Sequence, residues 1–299
     1  MSRRAGASAD WLGDGYFRCL GYVFNLRWDN PEAGRTIRRI LGQFEIPANR
    51  VERRTPPTPN VPPVYSLSQT TDVCEVRYGN DLLFGPETFD EALSHLLWHI
   101  NAEVGRSTGS YLLIHAGAIA APSGDGMILP GDSGSGKTTL VAGLAEKGFQ
   151  YLSDEAAAID PVSRQLYPYA KPLTLKLGSL SLFPGLEAHK TDSVVRLQDQ
   201  WFVQPEAFGG KTVSGPCSVR WVVSVRYQPD APTRLEPISS GEAVMELGRR
   251  IMNLPQYGGR AFQLLADVAR GAASYRLVSG DLREAVATLD GLARSQERS

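Results

Sequence analysis

One run of eight residues has the composition and spacing to bind a chain of phosphates. It reads Gly131, Asp132, Ser133, Gly134, Ser135, Gly136, Lys137, Thr138, which is Gly, four residues, Gly, Lys and Ser/Thr. The glycines let backbone amides converge on anionic oxygens, and a helix that begins near Lys137 adds its positive end. Lys137 is expected to contact the β and γ phosphates and Thr138 to ligate Mg²⁺, with Thr139 completing the nucleotide-binding stretch. The sequence therefore predicts ATP and Mg²⁺ as cofactors.

Two carboxylates follow the strand predicted next in the chain, over residues 149–153. In a motor ATPase, Asp154 and Glu155 would be a metal ligand and a water-activating glutamate. Transport ATPases, however, have a longer insertion here and an LSGGQ-like signature that this sequence lacks. The short spacing after Lys137 favours a compact kinase core, in which Asp154 orients or deprotonates an attacking hydroxyl. Thr138, Asp154 and Glu155 are then the predicted metal ligands.

The elements around the loop follow the order of a nucleotide-binding core. A helix is predicted over 138–147, with Gly148 as its left-handed C-terminal cap. Upstream, His115 closes a predicted strand, and a histidine at a strand end is as often structural as functional. The predicted elements before the loop are a strand over 111–114, a turn over 123–126 and a strand over 127–129.

The remaining chain predicts elements on both sides of this core. A helix begins after Asn30, which caps it, with Pro31 at its first position. Five prolines between residues 53 and 63 predict an extended connector, or a ligand for a recognition domain. Residues 178–215 show weak periodicity and are predicted to be loop-rich or mobile. The other predicted strands are 16–26, 64–68, 72–78, 82–84, 156–159, 164–167 and 219–227, and the other helices are 86–104, 241–252, 259–270 and 281–294.

Composition narrows the class of protein. The 299 residues carry 31 basic and 32 acidic side chains, and this balance argues against a nucleic-acid partner. No signal peptide or membrane span is expected, so a cytoplasmic protein is predicted. Three cysteines lie far apart, which favours buried thiols over zinc or disulfides. His95 and His99 are four apart on a predicted helix without a third ligand nearby, so packed or solvated histidines are expected.

At these motifs the sequence resembles the HPr serine kinase/phosphorylase family, and more closely the HPr-kinase-related proteins that include kinases of lasso-peptide precursors. The matching stretches are 115–117, the loop 131–138, 151–155, 167–176 and about 275–285. The resemblance implies that His115 lies in the catalytic pocket, that Lys137 and Thr138 hold phosphates and metal, and that Asp154 is the base toward a serine hydroxyl. Glu155 stands where relatives have a second aspartate.

The resemblance also concerns the role of two lysines, the reactions to expect and the oligomeric state. Lys171 and Lys176 lie in a matching stretch, where they either approach phosphate or substrate or are simply solvated. The sequence lacks the Glu-Val-Arg-Gly signature of the bifunctional enzymes, which counts against phosphorolysis and HPr as acceptor. Homo-oligomer formation stays open.

Together these observations predict an α/β protein: a P-loop kinase core of the HPr kinase/phosphoenolpyruvate-carboxykinase type over 106–299 and a small α+β module over 1–105. The module is either a peptide-recognition element or an extension that stabilises the kinase sheet. The predicted activity is phosphoryl transfer from ATP to a serine hydroxyl of a peptide or small protein. The alternatives are a kinase of a small molecule such as free serine, and a nucleotide-gated protein that binds peptide without transfer.

Overall fold

The computed structural model describes residues 10–51, 62–188 and 193–296. The chain divides into two compact units, Met1–Val104 and Gly105–Ser299, and has a mixed α/β architecture with several sheets. Most of the proline-rich segment predicted as a connector, residues 53–61, lies outside the described residues. Within the three described ranges, no helix is long and apolar enough to cross a bilayer.

The first unit contains a six-stranded sheet and helices. Its strands are β1 (Gly13–Cys19), β2 (Tyr22–Trp28), β3 (Glu45–Ile46), β4 (Val64–Thr70), β5 (Val73–Tyr78) and β6 (Asp81–Glu87). Its helices are α1 (Pro31–Leu41) and α2 (Phe89–Ser107). The strands pair in the order β3-β1-β2-β4-β5-β6, with β2 and β4 parallel and the other pairs antiparallel.

The single strand predicted over 16–26 is wrong, because the chain turns back within it. Leu20 and Gly21 adopt φ values of 46° and 90°, and β1 and β2 form a hairpin around them. Both halves are rich in aromatic residues, so the composition did not reveal the turn. Phe17 and Phe24 face each other across the hairpin, with ring centroids 5.4 Å apart, in the core of this unit.

Asn30 is confirmed as a helix cap, and the two histidines of this unit have partners inside the protein. The side chain of Asn30 accepts a hydrogen bond of 2.7 Å from the backbone N–H of Glu32, so it caps α1, and Pro31 occupies the first turn. His95 and His99 are partnered within the protein, His95 with Glu87 at 2.9 Å and His99 with the Tyr65 hydroxyl at 3.1 Å. No cluster of three or more His, Cys, Asp or Glu suited to a metal occurs among the described residues.

The second unit contains shorter and more numerous elements. Its strands are β7 (Leu112–Ile114), β8 (Ala116–Ala120), β9 (Gly126–Pro130), β10 (Gln150–Ser153), β11 (Ala157–Ile159), β12 (Leu166–Tyr167), β13 (Leu173–Lys176), β14 (Val194–Leu197), β15 (Gln200–Val203), β16 (Lys211–Thr212), β17 (Val219–Tyr227), β18 (Arg234–Pro237) and β19 (Ala273–Ser279). Its helices are α3 (Lys137–Glu146), α4 (Leu177–Leu180), α5 (Pro184–Ala188), α6 (Ser240–Gly248), α7 (Leu254–Tyr257), α8 (Arg260–Gly271) and α9 (Leu282–Gln296).

The main sheet of this unit has seven strands in the order β16-β10-β8-β9-β17-β19-β18. β9, β17 and β19 are parallel, whereas β8 is antiparallel to both β9 and β10. The sequence did not separate β8 from the apolar run before it. In the structure β8 lies between β9 and β10, so the strands that lead to the loop and to Asp154 are not neighbours.

Both faces of this sheet are covered. Trp221, Val223 and Val225 of β17 pack in one cluster with α3 and α9, and Val222 packs in another cluster with α6 and α8. Successive side chains of a strand point to opposite faces, so a strand buried on both faces reads as one continuous apolar run. Truncating the fully buried Trp221 to alanine should cost about 3–5 kcal/mol.

The region predicted to be loop-rich or mobile, 178–215, contains regular elements in its described residues, 178–188 and 193–215. It forms α4, α5, β16 and most of a three-stranded sheet in the order β13-β15-β14. Leu180, Phe183 and Phe208 are buried in the same cluster as α3 and α9. Elements of about four residues are too short to show a period, which is why the pattern looked irregular. The three cysteines are buried and unbridged, as predicted.

Candidate functional site

The predicted phosphate loop connects β9 to α3, and its backbone depends on glycine. Gly134 and Gly136 adopt φ values of 80° and 86°. Residues with a Cβ atom rarely adopt this left-handed conformation, whereas glycine adopts it freely. At Gly131 a Cβ would lie 2.7 Å from the carbonyl oxygen of Val225, so any side chain there would displace backbone. The residues between, Asp132 and Ser133, are exposed at the tip of the loop.

Lys137 is the first residue of α3 and is buried against this loop. Its Nζ donates to the carbonyl oxygens of Gly131 at 2.8 Å and Asp132 at 2.9 Å. Burial lowers the pKa of Lys137 below its usual value, and the nearby Arg250 guanidinium lowers it further. Thr138 and Thr139 follow in the first turn, and the Thr139 hydroxyl donates to the Ser179 hydroxyl at 3.1 Å. The ammonium is therefore fixed at the N-terminus of α3, where a phosphate would meet it.

Strand direction brings the other predicted residues to the same edge of the sheet. The register pairs Ala116 with Pro130 and Ala118 with Ser153, and β8 runs antiparallel to both of its neighbours. The start of β8 therefore lies beside the ends of β9 and β10. His115 follows the end of β7, as predicted, and precedes β8, so it lies at this edge beside the loop and the residues after β10.

Asp154 is enclosed by hydrogen-bond donors, and its side chain is 2% exposed. Its Oδ2 accepts from the Thr174 N–H at 3.1 Å, and its Oδ1 lies 3.3 Å from the Lys171 Nζ. The Tyr151 hydroxyl lies 3.0 Å from Oδ1 and accepts from the Asp154 N–H at 3.1 Å. Burial raises the pKa of Tyr151 well above its usual value, and the Asp154 charge adds to the shift. Tyr151 therefore stays a neutral donor.

Lys171 is a central member of this group and is not solvated. Its Nζ lies 3.5 Å from Glu155 Oε2 as well as 3.3 Å from Asp154 Oδ1, and the residue is buried. Burial alone would lower the pKa of Lys171, but the two carboxylates outweigh it and the net shift is upward. Lys176, by contrast, is exposed at the end of β13. Of the two lysines in the matching stretch, only Lys171 belongs to the site.

Glu155 and His115 form the accessible part of the group. His115 Nδ1 donates to the Glu155 carbonyl oxygen at 3.1 Å and lies 3.7 Å from its Oε1. The side chains are 40% and 33% exposed, respectively. We refer to His115, Asp154, Glu155 and Lys171 as the acid flank of the loop. It combines one enclosed carboxylate with one that solvent reaches.

Arg250 is a candidate site residue that the sequence did not reveal. One guanidinium nitrogen, Nη2, lies 2.6 Å from Asp132 Oδ1 of the loop, and the other, Nη1, lies 2.9 Å from Glu246 Oε2. Its carbonyl oxygen accepts from the His115 N–H at 2.8 Å. The side chain is 11% exposed, and its Nε is buried without a partner in the described part of the chain. The run Arg249-Arg250 at a helix end was the available signal, but basic residues are ordinary there.

Comparison with known proteins adds little to this geometry. No protein-family model matches the sequence, and no curated protein matches it. Among solved structures, the chain is similar to the Hpr(Ser) kinase/phosphatase from Coxiella burnetii, with 14% sequence identity and a TM-score of 0.32. The match covers 62% of this chain and 95% of that chain. A likeness this distant carries no argument about the site, so function has to be argued from the residues.

Proposed function

We propose that this protein is a phosphotransferase that uses ATP and Mg²⁺ and passes the γ phosphoryl group to a hydroxyl. The observation that supports it best is the meeting, at one edge of the sheet, of the phosphate loop, a buried lysine at a helix N-terminus and the acid flank. Phosphoryl transfer needs positioning and charge neutralisation more than covalent chemistry. A core related to HPr kinases is the finer proposal, and it rests on the sequence motifs.

The residues fit a nucleotide-bound Mg²⁺. The ion prefers oxygen ligands and in such sites takes one or two carboxylates together with the phosphates, so a dedicated cluster of acids is not needed. The Thr138 hydroxyl and the accessible carboxylate of Glu155, with Asp154 behind it, are the proposed ligands. When bound, the ion would neutralise charge on the β and γ oxygens. Lys137 would hold the same oxygens from the helix end.

Asp154 is the proposed base because of its position after β10. Its oxygens are held by Lys171, Tyr151 and the Thr174 N–H, so proton transfer requires Lys171 to share or yield its contact when substrate binds. Catalytic hydrogen bonds often form only in the complex, and the geometry without substrate does not exclude this role. The more exposed Glu155 is the second candidate, and His115 orients it.

The proposed acceptor is a serine hydroxyl of a peptide precursor or small protein, as in the kinases of lasso-peptide precursors that the sequence resembles. Free serine is the alternative acceptor. Incubation with ATP, Mg²⁺ and either candidate peptides or free serine, followed by mass measurement, separates the two. Peptide binding that depends on ATP without any change in mass would instead favour a nucleotide-gated binding protein.

Substitutions test the roles of the residues. Lys137→Ala should abolish transfer and nucleotide binding, because the phosphates lose their buried cation. Asp154→Asn should abolish transfer but keep nucleotide binding, measured by calorimetry. Asp125→Asn, in the exposed turn at the far end of β9, is the matched control and should behave as wild type. If Asp154→Asn keeps full phosphoryl transfer and Glu155→Gln loses it, the base is Glu155 and not Asp154.

A further inference from the structure

A cavity of about 350 Å³ opens on the other side of the phosphate loop. The middle of the loop, Gly134–Gly136, forms one wall, and the start of α3 with Thr139 and Leu140 continues it. The ends of β17 and β19 and the start of α9 form the opposite wall, and α4 contributes Gly178 and Ser179. We call this the cavity flank. Its volume falls in the range of small-molecule sites, about 300–1,000 Å³.

The strand order separates this cavity from the acid flank. In the main sheet β9 stands between β8 and β17, so β8 and β10 lie on one side of it and β17 and β19 on the other. His115, Asp154 and Glu155 belong to the first side, and the cavity belongs to the second. A phosphate chain held by the loop therefore has one end toward the carboxylates and the other toward the cavity.

The walls of the cavity suit a flat group that carries polar substituents. Apolar side chains from several elements meet there, and two of them are unusually exposed, Leu182 at 51% and Tyr227 at 54%. Polar residues lie among them, namely Ser135, Thr139, Ser179, Arg226, Ser279 and Asp281. Apolar walls with a few polar groups that fix orientation are typical of ligand pockets, and exposed aromatic rings stack well on nucleobases.

Hydrogen bonds connect the walls of this cavity to the loop and to each other. The Tyr227 N–H donates to the carbonyl oxygen of Ser135 at 3.1 Å, and the Gln228 N–H donates to that of Ser279 at 3.1 Å. The bond from Thr139 to Ser179 joins α3 to α4. The walls of the cavity are therefore held by residues of the phosphate loop and α3. The cavity already lies beside the loop in this structure.

We propose that the cavity holds the base and ribose of the nucleoside triphosphate whose phosphates lie on the loop, with Tyr227 and Leu182 against the base. This inference rests on the proposed phosphate binding, and it adds the direction in which the nucleotide lies along the loop. The nucleoside lies toward β17 and β19, and the terminal phosphate lies toward the acid flank. The acceptor hydroxyl consequently approaches from the side of β8 and β10, not through the cavity.

Blocking the cavity tests the proposal. Gly178 lines it, and a Cβ added there would meet no atom within 4 Å, so Gly178→Trp can place a large ring in the space without a clash at the backbone. Gly185 in α5 is equally open and does not line the cavity, which makes Gly185→Trp the matched control. Binding of ATP and of inorganic tripolyphosphate, which has no nucleoside, is measured by calorimetry for both variants and wild type.

Wild type and Gly185→Trp should bind ATP more tightly than tripolyphosphate by about tenfold or more. Gly178→Trp should lose this preference, because ATP weakens while tripolyphosphate is unchanged. Unchanged ATP affinity in Gly178→Trp, or equal affinity of wild type for the two ligands, would overturn the nucleoside assignment. Failure of the underlying function looks different: tripolyphosphate would then not bind to wild type, or would bind equally to Lys137→Ala.

Discussion

The two flanks of the phosphate loop use different physical interactions. On the acid flank, Lys171 is buried between Asp154 and Glu155, and both carboxylate oxygens of Asp154 are held by partners. On the cavity flank, apolar side chains are left partly exposed around an open volume. The first arrangement fixes charges in a medium of low polarity, where their positions matter most. The second leaves room for a ligand with large apolar faces.

Under the proposed function, this difference would let one loop serve two tasks. A charged side chain that acts on a phosphoryl group has to be held in position before the substrate binds. Enclosing such a carboxylate lowers the stability of the folded state, because the charge loses its contact with water. A base and ribose need contact area and a few hydrogen bonds, which open apolar walls supply. Substitutions on the acid flank should therefore change stability and chemistry together, whereas those on the cavity flank should change affinity alone.

The largest expected effect is that of Lys171→Met, which removes the cation from the acid flank. Two carboxylates are left close together and partly buried, so the free energy of unfolding should fall by about 3 kcal/mol. Transfer should fall steeply, while the affinity for tripolyphosphate stays within about twofold, since Lys171 is placed on the acid side of the loop. Urea denaturation and calorimetry measure the two quantities.

Lys176→Met is the matched control for this prediction, because Lys176 is exposed at the end of β13, and it should leave both quantities unchanged. Adding Asp154→Asn to Lys171→Met should restore part of the lost stability by removing one unpaired charge. Equal stability of Lys171→Met and wild type would show that the buried pair is not what organises the acid flank.

An intermediate effect is expected for Arg250→Met, which acts on the loop itself. The guanidinium holds Asp132 at one end of the loop, and its positive charge lies beside the residues that are proposed to bind phosphate. Affinity for ATP and for tripolyphosphate should both fall by about tenfold, without a change in their ratio. Arg249→Met, whose side chain is 67% exposed, is the control. A loss restricted to ATP would instead place Arg250 with the nucleoside.

The smallest effect is expected at the opposite edge of the sheet, where Cys217 lies against Gly126 at the start of β9. Burial raises the pKa of the Cys217 thiol from 9.0 to about 11, so the folded state favours the neutral thiol. That contribution to stability is complete below pH 9 and is lost as pH rises toward 11. In Cys217→Ala, unfolding should depend less on pH in this window, and ATP affinity should match wild type. Altered nucleotide binding would mean that the two edges are coupled.

Much of the local structure around the loop could be predicted from the sequence. The strand before Gly131, the helix that begins at Lys137 and the strand before Asp154 are all present. Each of these elements could be predicted because it depends on residues that are adjacent in the chain. The signals were glycines that permit left-handed φ, an amphipathic run and an apolar run. The cap of α1 by Asn30 was predictable for the same reason. In the first unit, the hairpin at Leu20 was not predicted, because leucine rarely adopts a positive φ and its presence does not indicate a turn.

The composition of the site beyond the loop was harder to predict. The sequence allows Lys171 to be either solvated or close to phosphate or substrate, and only the packing shows that it is buried between two carboxylates. The sequence places Arg250 in a predicted helix over 241–252 and gives no sign that it contacts Asp132, which lies 118 positions away in the chain. The roles of Asp154, Glu155 and His115 in catalysis stay predictions, and Asp154→Asn and Glu155→Gln test the first two.

By itself, the sequence determined that the chain carries a loop with three glycines, a lysine and a threonine between a strand and a helix, with two acids one strand later. Local chemistry is sufficient for that, because backbone freedom and helix polarity depend on adjacent residues. The tertiary structure alone decided that β8 stands between β9 and β10, that Lys171 and Arg250 join the site and that a cavity lies on the far side. These features depend on strand order and long-range packing, which bring together residues that no local pattern connects.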